Sequence, residues 1–162
     1  MKGSNTETDF ESIVRSYSGI INKICYYFSD YSNDFKDLRQ EALINIWKGL
    51  SSFRCASKPS TWIYRVCLNS CVTYQRKNAK NKVNISIENI VEIPEGEKFN
   101  IENYNELHRM ISNLSQDDKA IILLWLDELS YEEISAIIGL NKNTIGVRIN
   151  RIKEKLIRMS NR

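Results

Sequence analysis

The stretch SYEEISAIIGLNKNTIGVRINRIKEKL, residues 130–156, sets two amphipathic segments almost end to end and loads the second with cations. Ser130 with Glu133 has the form of a capping box, in which the hydroxyl and the carboxylate each accept a backbone N–H at a helix start. A helix is therefore predicted from near Tyr131. Ile134, Ile137 and Ile138 share one face of it, and Gly139 stands where a left-handed C-terminal cap is needed. Asn141 can cap a second helix, on which Ile145, Ile149, Ile152 and Leu156 recur at steps of three and four. Two helices across so short a turn make either the helix-turn-helix that reads DNA or an ordinary helical hairpin in a bundle.

Charge separates these two outcomes. At about 100° per residue, the side opposite the isoleucine stripe carries Asn143, Val147, Asn150 and Arg151, with Lys142, Arg148 and Lys153 on its flanks. From Lys142 to Arg162 there are seven Lys or Arg and one acid, Glu154. A solvated helix face mixes its charges, so this one is expected to meet a polyanion. Further up the chain, residues 54–82 hold seven basic residues and no acid, whereas residues 83–106 hold six Glu and one Lys. Two basic surfaces separated by an acidic connector fit two contacts with nucleic acid, although the acids also suit a solvated linker. The formal net charge of +3 conceals this pattern.

At 162 residues the chain has room for one ordinary domain or two small ones. Its start, MKGSNTETDF, lacks the apolar core of a signal peptide, and no apolar run reaches the ~20 residues that span a bilayer. A soluble cytoplasmic protein without membrane insertion is expected. The four cysteines (Cys25, Cys67 and Cys71 with Cys55) are too sparse for a disulfide framework. With no CxxC pair and a single histidine, His108, they are expected to be small buried residues, with no metal or cofactor.

Helical spacing continues elsewhere, so the fold class is all-α. After a disordered tail, 1–8, Asp9 can cap a helix on which Phe10, Ile13, Val14, Tyr17, Ile21, Ile24 and Phe28 keep helical spacing as far as Ser29. A second begins near Asp34, with Phe35, Leu38, Ala42, Ile46, Trp47 and Leu50 inward and Asp37, Gln40 and Glu41 outward. After the loop SSFRCASKPS, Ser60 opens a third helix through Trp62, Ile63, Val66, Cys67, Ser70 and Tyr74. These helices form a first domain over 9–77. Residues 78–103 are expected to be an acidic, extended linker, although VNISIENIVEI also has the alternation of a small strand pair. A last domain, 104–162, starts with a helix over Leu107, Met110, Ile111 and Leu114. A helix capped by Ser115 follows, carrying Ala120, Ile121, Leu123, Leu124 and Leu126.

DLRQEALINIW, STWIYRVCLNSCVTYQRK and LSYEEISAIIGLNKNTIGVRINRIKEKL, in that order and with those gaps, resemble the extracytoplasmic-function sigma factors of bacterial RNA polymerase. The likeness runs over nearly the whole chain. It implies a first domain, like sigma region 2, that binds core RNA polymerase and the promoter −10 element. The second, like region 4, would bind the −35 element, and the whole would help melt the promoter. Asp37, Leu38, Gln40 and Glu41 match the positions that dock on the polymerase's largest subunit. Phe53 and Asn69 match the pocket for a flipped base, Ser57 lies in its loop, and Trp62, Tyr64 and Arg65 match the segment TWLYR of the family. Arg76 and Lys77 add cations for the −10 backbone. The −35 contacts expected on the last helix are Lys142, Asn143, Thr144, Val147, Arg148, Asn150 and Arg151. The resemblance also implies an anti-sigma factor as partner.

Some positions depart from the family. Thr73 replaces an Asp common late in the third helix, and Gly146 and Val147 stand where polar residues are frequent. Gly146 within a helix costs roughly 1 kcal/mol relative to Ala. Val147 suits an apolar contact such as a thymine methyl. The competing class is a dimeric helix-turn-helix regulator with a ligand-sensing first domain, which leaves the basic third helix without a role. An enzyme is not expected: no nucleophile–base pair, phosphate loop or metal motif stands out.

Overall fold

The structure, a computed structural model, describes residues 3–29, 32–53, 57–78 and 101–162. Among these residues every regular element is an α-helix: α1 (Gly3–Ser16), α2 (Ser18–Phe28), α3 (Ser32–Leu50), α4 (Pro59–Asn78), α5 (Ile101–Ser112), α6 (Gln116–Leu126), α7 (Tyr131–Ile138) and α8 (Lys142–Ser160). The all-α class read from the apolar stripes is the one found. The chain divides into two compact units, Met1–Pro94 and Glu95–Arg162. The expected linker and the alternating Ile/Val run within it lie largely outside the described residues. Of that span, Asn78 ends α4 and Ile101 already starts α5.

In the first unit, α2, α3 and α4 pack on one another and α1 lies against α2 and α3. Ile21, Ile24 and Phe28 meet Leu38, Ala42 and Ile46 and the α4 residues Ile63, Cys67 and Cys71 in the core. The first helix starts earlier than expected, at Gly3, so Asp9 lies inside it rather than capping it. Nothing in that segment bars a helix, and Asp within one costs only a fraction of a kcal/mol more than other polar residues. The expected single helix to Ser29 is also broken. Tyr17, at φ −112° and ψ 17°, leaves helical geometry between α1 and α2. Ser18 and Gly19 follow, and the Ser18 hydroxyl donates to the Arg15 carbonyl at 3.3 Å. Ser/Gly pairs are a recognised cause of kinks. In α4 the first helical residue is Pro59, one before Ser60, because a missing N–H at that position leaves no helix bond unmade.

Capping chemistry governs the second unit. Ser115 Oγ accepts the Asp118 N–H at 3.2 Å to start α6. At α7, Ser130 Oγ accepts from Glu133 N–H at 3.2 Å and Glu133 Oε2 accepts from Ser130 N–H at 2.8 Å, which completes the capping box. Gly139 ends α7 at φ 84°, a left-handed conformation that costs glycine nothing. Asn141 then starts α8 by accepting the Asn143 N–H at 2.7 Å. Ile134 and Ile137 on α7 and Ile145, Ile149 and Ile152 on α8 are buried, together with Ile121, Ile122, Leu123 and Leu124 of α6 and Ile111 of α5. Leu126 is 37% exposed, in the last turn of α6.

Replacing Ser130 with alanine removes one half of the box. The expected result is a loss of about 1 kcal/mol of stability, measured by denaturant unfolding of the full chain, with little change in helical content at low denaturant.

Candidate nucleic-acid interfaces

Burial of Ile145, Ile149 and Ile152 turns the opposite face of α8 to solvent. Asn143, Thr144, Val147, Asn150 and Arg151 are all exposed, Val147 by 60%, and Arg148 is half-buried at the edge. Lys142 is exposed and forms an ion pair with Glu132 of α7. A hydrogen bond from Lys142 is the main influence holding the Glu132 carboxyl below its usual range. Exposed pairs of this kind are weak, so the ion pair leaves Lys142 available to a phosphate. Lys153 is less available than its flank position suggests, since its Nζ lies 4.1 Å from the centre of the Trp125 ring.

The glycine that looked costly within α8 has a packing reason. A Cβ on Gly146 would come 3.2 Å from Cε2 of Tyr131, so α7 presents its first residue closely against the α8 backbone. No helical periodicity signals this contact. The flag was the glycine itself, in a helix that otherwise has no use for one.

In the first unit, Asp37, Gln40 and Glu41 are exposed on α3. Leu38, inward by its spacing, is 0% exposed and anchors α3 in the core, so the docking contact that the resemblance implied for it does not rest on an accessible side chain. Asp37 is not idle either, because the Tyr74 hydroxyl of α4 lies 3.3 Å from its Oδ2 and 3.3 Å from Oδ1 of Asp34. Burial, followed by the two carboxylate charges, pushes the Tyr74 hydroxyl up to about 12. Trp47, expected inward, is 43% exposed with Phe10 of α1 edge-on at 5.2 Å, and Ile44 beside it is 47% exposed. Both were missed as surface residues. Ile44 lies three residues from Glu41 and four from Gln40, and Trp47 lies three beyond Ile44 and seven from Gln40, which places both on one face with those residues.

On α4, Ile63, Tyr64, Cys67, Leu68, Ser70 and Cys71 are buried. That leaves Asn69, Thr73, Arg76 and Lys77 as an exposed strip, with Arg65 half-buried. Asn45 of α3 donates to Ser70 Oγ at 2.8 Å, which ties the two helices. Phe53 and Ser57, on either side of residues 54–56, are half-buried, and the Phe53 ring stacks on Trp62. Cys25, Cys67 and Cys71 are buried, and burial raises the Cys67 thiol far above its ordinary range, as suits a packing residue. Cys55 lies outside the described residues. Among the described residues no cluster of three or more His, Cys, Asp or Glu could hold a metal ion, and no helix is long and apolar enough to cross a membrane.

Each unit therefore sets an exposed polar, cation-bearing helix face over an apolar core, and one of them is a helix-turn-helix, the build of a DNA-binding regulatory protein. The first unit matches the family model for Sigma-70 region 2 over residues 13–81, and the second matches Sigma-70, region 4 over residues 104–156. The ECF RNA polymerase sigma-E factor of Escherichia coli is 33% identical over 151 residues, covering 83% of this chain and 79% of the relative. That of Haemophilus influenzae is 31% identical over 163 residues, covering 91% and 85%. The fold is shared with the sigma factor RpoE of Bartonella quintana, solved in complex with the anti-sigma factor NepR. That likeness has a TM-score of 0.76 at 22% identity and covers 94% of this chain and 97% of the other. CnrH, solved with the cytosolic domain of CnrY, has a TM-score of 0.70 at 18% identity over 96% and 89%. The chain belongs to the extracytoplasmic-function sigma factors. It is an alternative sigma factor for transcription initiation.

The Gly146 contact is open to a double-mutant cycle. In the wild-type background, the Gly146→Ala gain in helix propensity, roughly 1 kcal/mol, is offset by the push against Tyr131. With Tyr131→Ala already in place the same change should be more favourable by about 0.5–1 kcal/mol. Equal effects in both backgrounds, measured by denaturant unfolding, would show that the ring does not restrain the helix.

Proposed function

We propose that residues 9–77 bind core RNA polymerase and the promoter −10 element and that residues 104–162 bind the −35 element. The observation that carries this reading is the two-sided build of α8. Its isoleucine stripe is buried, and Asn143, Thr144, Val147, Asn150 and Arg151 stand exposed in one band. A helix that follows a tight turn with such a band outward fits the major groove. Asn150 and Arg151 are suited to base edges, Val147 to a thymine methyl, and Lys142 and Arg148 to phosphates. In the first unit, Asn69, Arg76, Lys77 and Arg65 line α4 for the −10 strand, with Phe53 and Ser57 for an unpaired base. Asp37, Gln40 and Glu41 offer the polymerase an acidic and amide surface held in place by buried Leu38.

The protein acts by binding rather than by turnover, and its place of action is the cytoplasm, where polymerase and promoter are found. An anti-sigma factor is its proposed regulator, in line with the two solved neighbours, each seen with a protein partner.

Two experiments test the assignment. Glu41→Lys with Gln40→Ala should abolish co-purification with core polymerase while the helical content and unfolding midpoint stay near wild type. No hydrogen bond or ion pair joins either side chain to another described residue. Recovery of the double variant with core enzyme at wild-type yield would remove α3 from the interface. On α8, Asn150→Ala or Arg151→Ala should change which −35 sequence the holoenzyme selects from a randomised library, at ~1–3 kcal/mol per lost base contact. Arg148→Ala should instead weaken all sequences about equally and lower the salt slope by about one unit. Unchanged selection by both of the first two variants would place α8 in another register.

A further inference from the structure

The end of α3 and the start of α4 are joined through one side chain. The Gly49 carbonyl accepts from the Ser52 N–H at 3.1 Å, the Ser52 hydroxyl at 3.0 Å and the Phe53 N–H at 3.0 Å, which folds the chain back over the last turn of α3. On its Cα side, Gly49 faces the indole of Trp62. A Cβ there would come 2.8 Å from Cζ2, closer than packed atoms allow. Trp62 lies in the first turn of α4, its N–H bonded to the Lys58 carbonyl at 3.2 Å. The Phe53 ring covers the indole, with centroids 4.8 Å apart and planes 26° from parallel. The indole thus meets the Gly49 backbone with its Cζ2 edge and the Phe53 ring with its face.

We infer that Trp62, seated on Gly49, is a positioning residue for promoter opening: it backs Phe53 so that the ring is already flat and fixed when an unpaired base arrives. This rests on the base-capture role proposed above for Phe53. A stacking platform is effective when its own ordering has been completed before the ligand binds, because otherwise the entropy of fixing the ring opposes capture. Phe53 has two rotatable side-chain bonds and sits on a short connection, so its rigidity must come from what lies behind it. Trp62 supplies a broad, planar backing. Gly49 supplies the room, since a side chain there would push on the Cζ2 edge and shift the indole out of place against Phe53. The base itself would be the third member of the stack.

The test uses the full chain with core polymerase on a promoter carrying 2-aminopurine at the captured position. Trp62→Leu keeps an apolar side chain but removes the flat face. It should lower base capture, read as 2-aminopurine fluorescence, and permanganate-reactive open complex by at least about fivefold. Core-enzyme binding and closed-complex formation should stay at wild-type level. Trp62→Tyr, which restores a flat ring, should recover most of the loss, an outcome that a purely structural role for volume would not give. If Trp62→Leu fails to give a cooperative thermal melt, Gly49→Val is read in the same assays, because it leaves both rings in the chain and displaces only the seat. Capture and opening at wild-type level in the folded variant would overturn the inference. Phe53→Ala separates the two claims: if it too opens promoters normally, the base-capture role fails, whereas if it is defective and Trp62→Leu is not, only the positioning role fails.

Discussion

Burial of Ile145, Ile149 and Ile152 fixes the rotation of α8 about its own axis, and the DNA-facing assignment depends on that angle. A helix turned by one residue, about 100°, would bring Asn150 toward the core and Ile149 toward solvent. Fully burying each isoleucine contributes ~1.5–3 kcal/mol, so three of them hold the orientation against any alternative that hides a polar side chain. The Tyr131 ring against Gly146 then governs how closely α7 approaches, and the Ser130–Glu133 box and Gly139 determine where α7 begins and ends. Exposure of the polar side chains on the outer face is therefore a consequence of apolar chemistry on the inner one.

The first unit uses the same principle on two helices. Leu38, Ala42 and Ile46 orient α3, leaving Gln40, Glu41, Ile44 and Trp47 outward, and Ile63, Cys67 and Cys71 orient α4, leaving Asn69, Thr73, Arg76 and Lys77 outward. Asn45 to Ser70 and Tyr74 to Asp34 and Asp37 bridge the two helices. A surface on α3 and a surface on α4 are in this way parts of one packed body. The cysteines serve that packing, and the raised Cys67 thiol is inert for the same reason that it is useful in the core.

Local chemistry was the legible part. The capping box, the Gly139 and Asn141 caps and the isoleucine stripe could be read because each depends on residues within four positions of one another. The outward Gln40 and Glu41 and the basic strip on α4 followed from period and charge. What escaped notice depends on neighbours distant in sequence. Trp47 lies at the margin of its stripe, where it is half in solvent and meets Phe10 of α1 edge-on. Gly146 marked an unusual position and Gly49 did not, and the aromatic ring facing each belongs to another helix. The break at Tyr17 was hidden because the helical spacing of apolar residues continues across it. At Leu38 the helical spacing, which turned it inward, and the family's docking motif pointed different ways, and its burial follows the spacing.

The central claim is that this chain confers promoter opening on a polymerase through two separate DNA contacts. The most direct measurement is permanganate reactivity of thymines in duplex promoters from the chain's own genome, with core polymerase alone, with the chain alone, and with both. Reactive thymines confined to the −10 region and present only when both proteins are added are the predicted result. Specific protection of duplex DNA by the chain alone, with no new reactive thymines on adding core polymerase, would contradict the account.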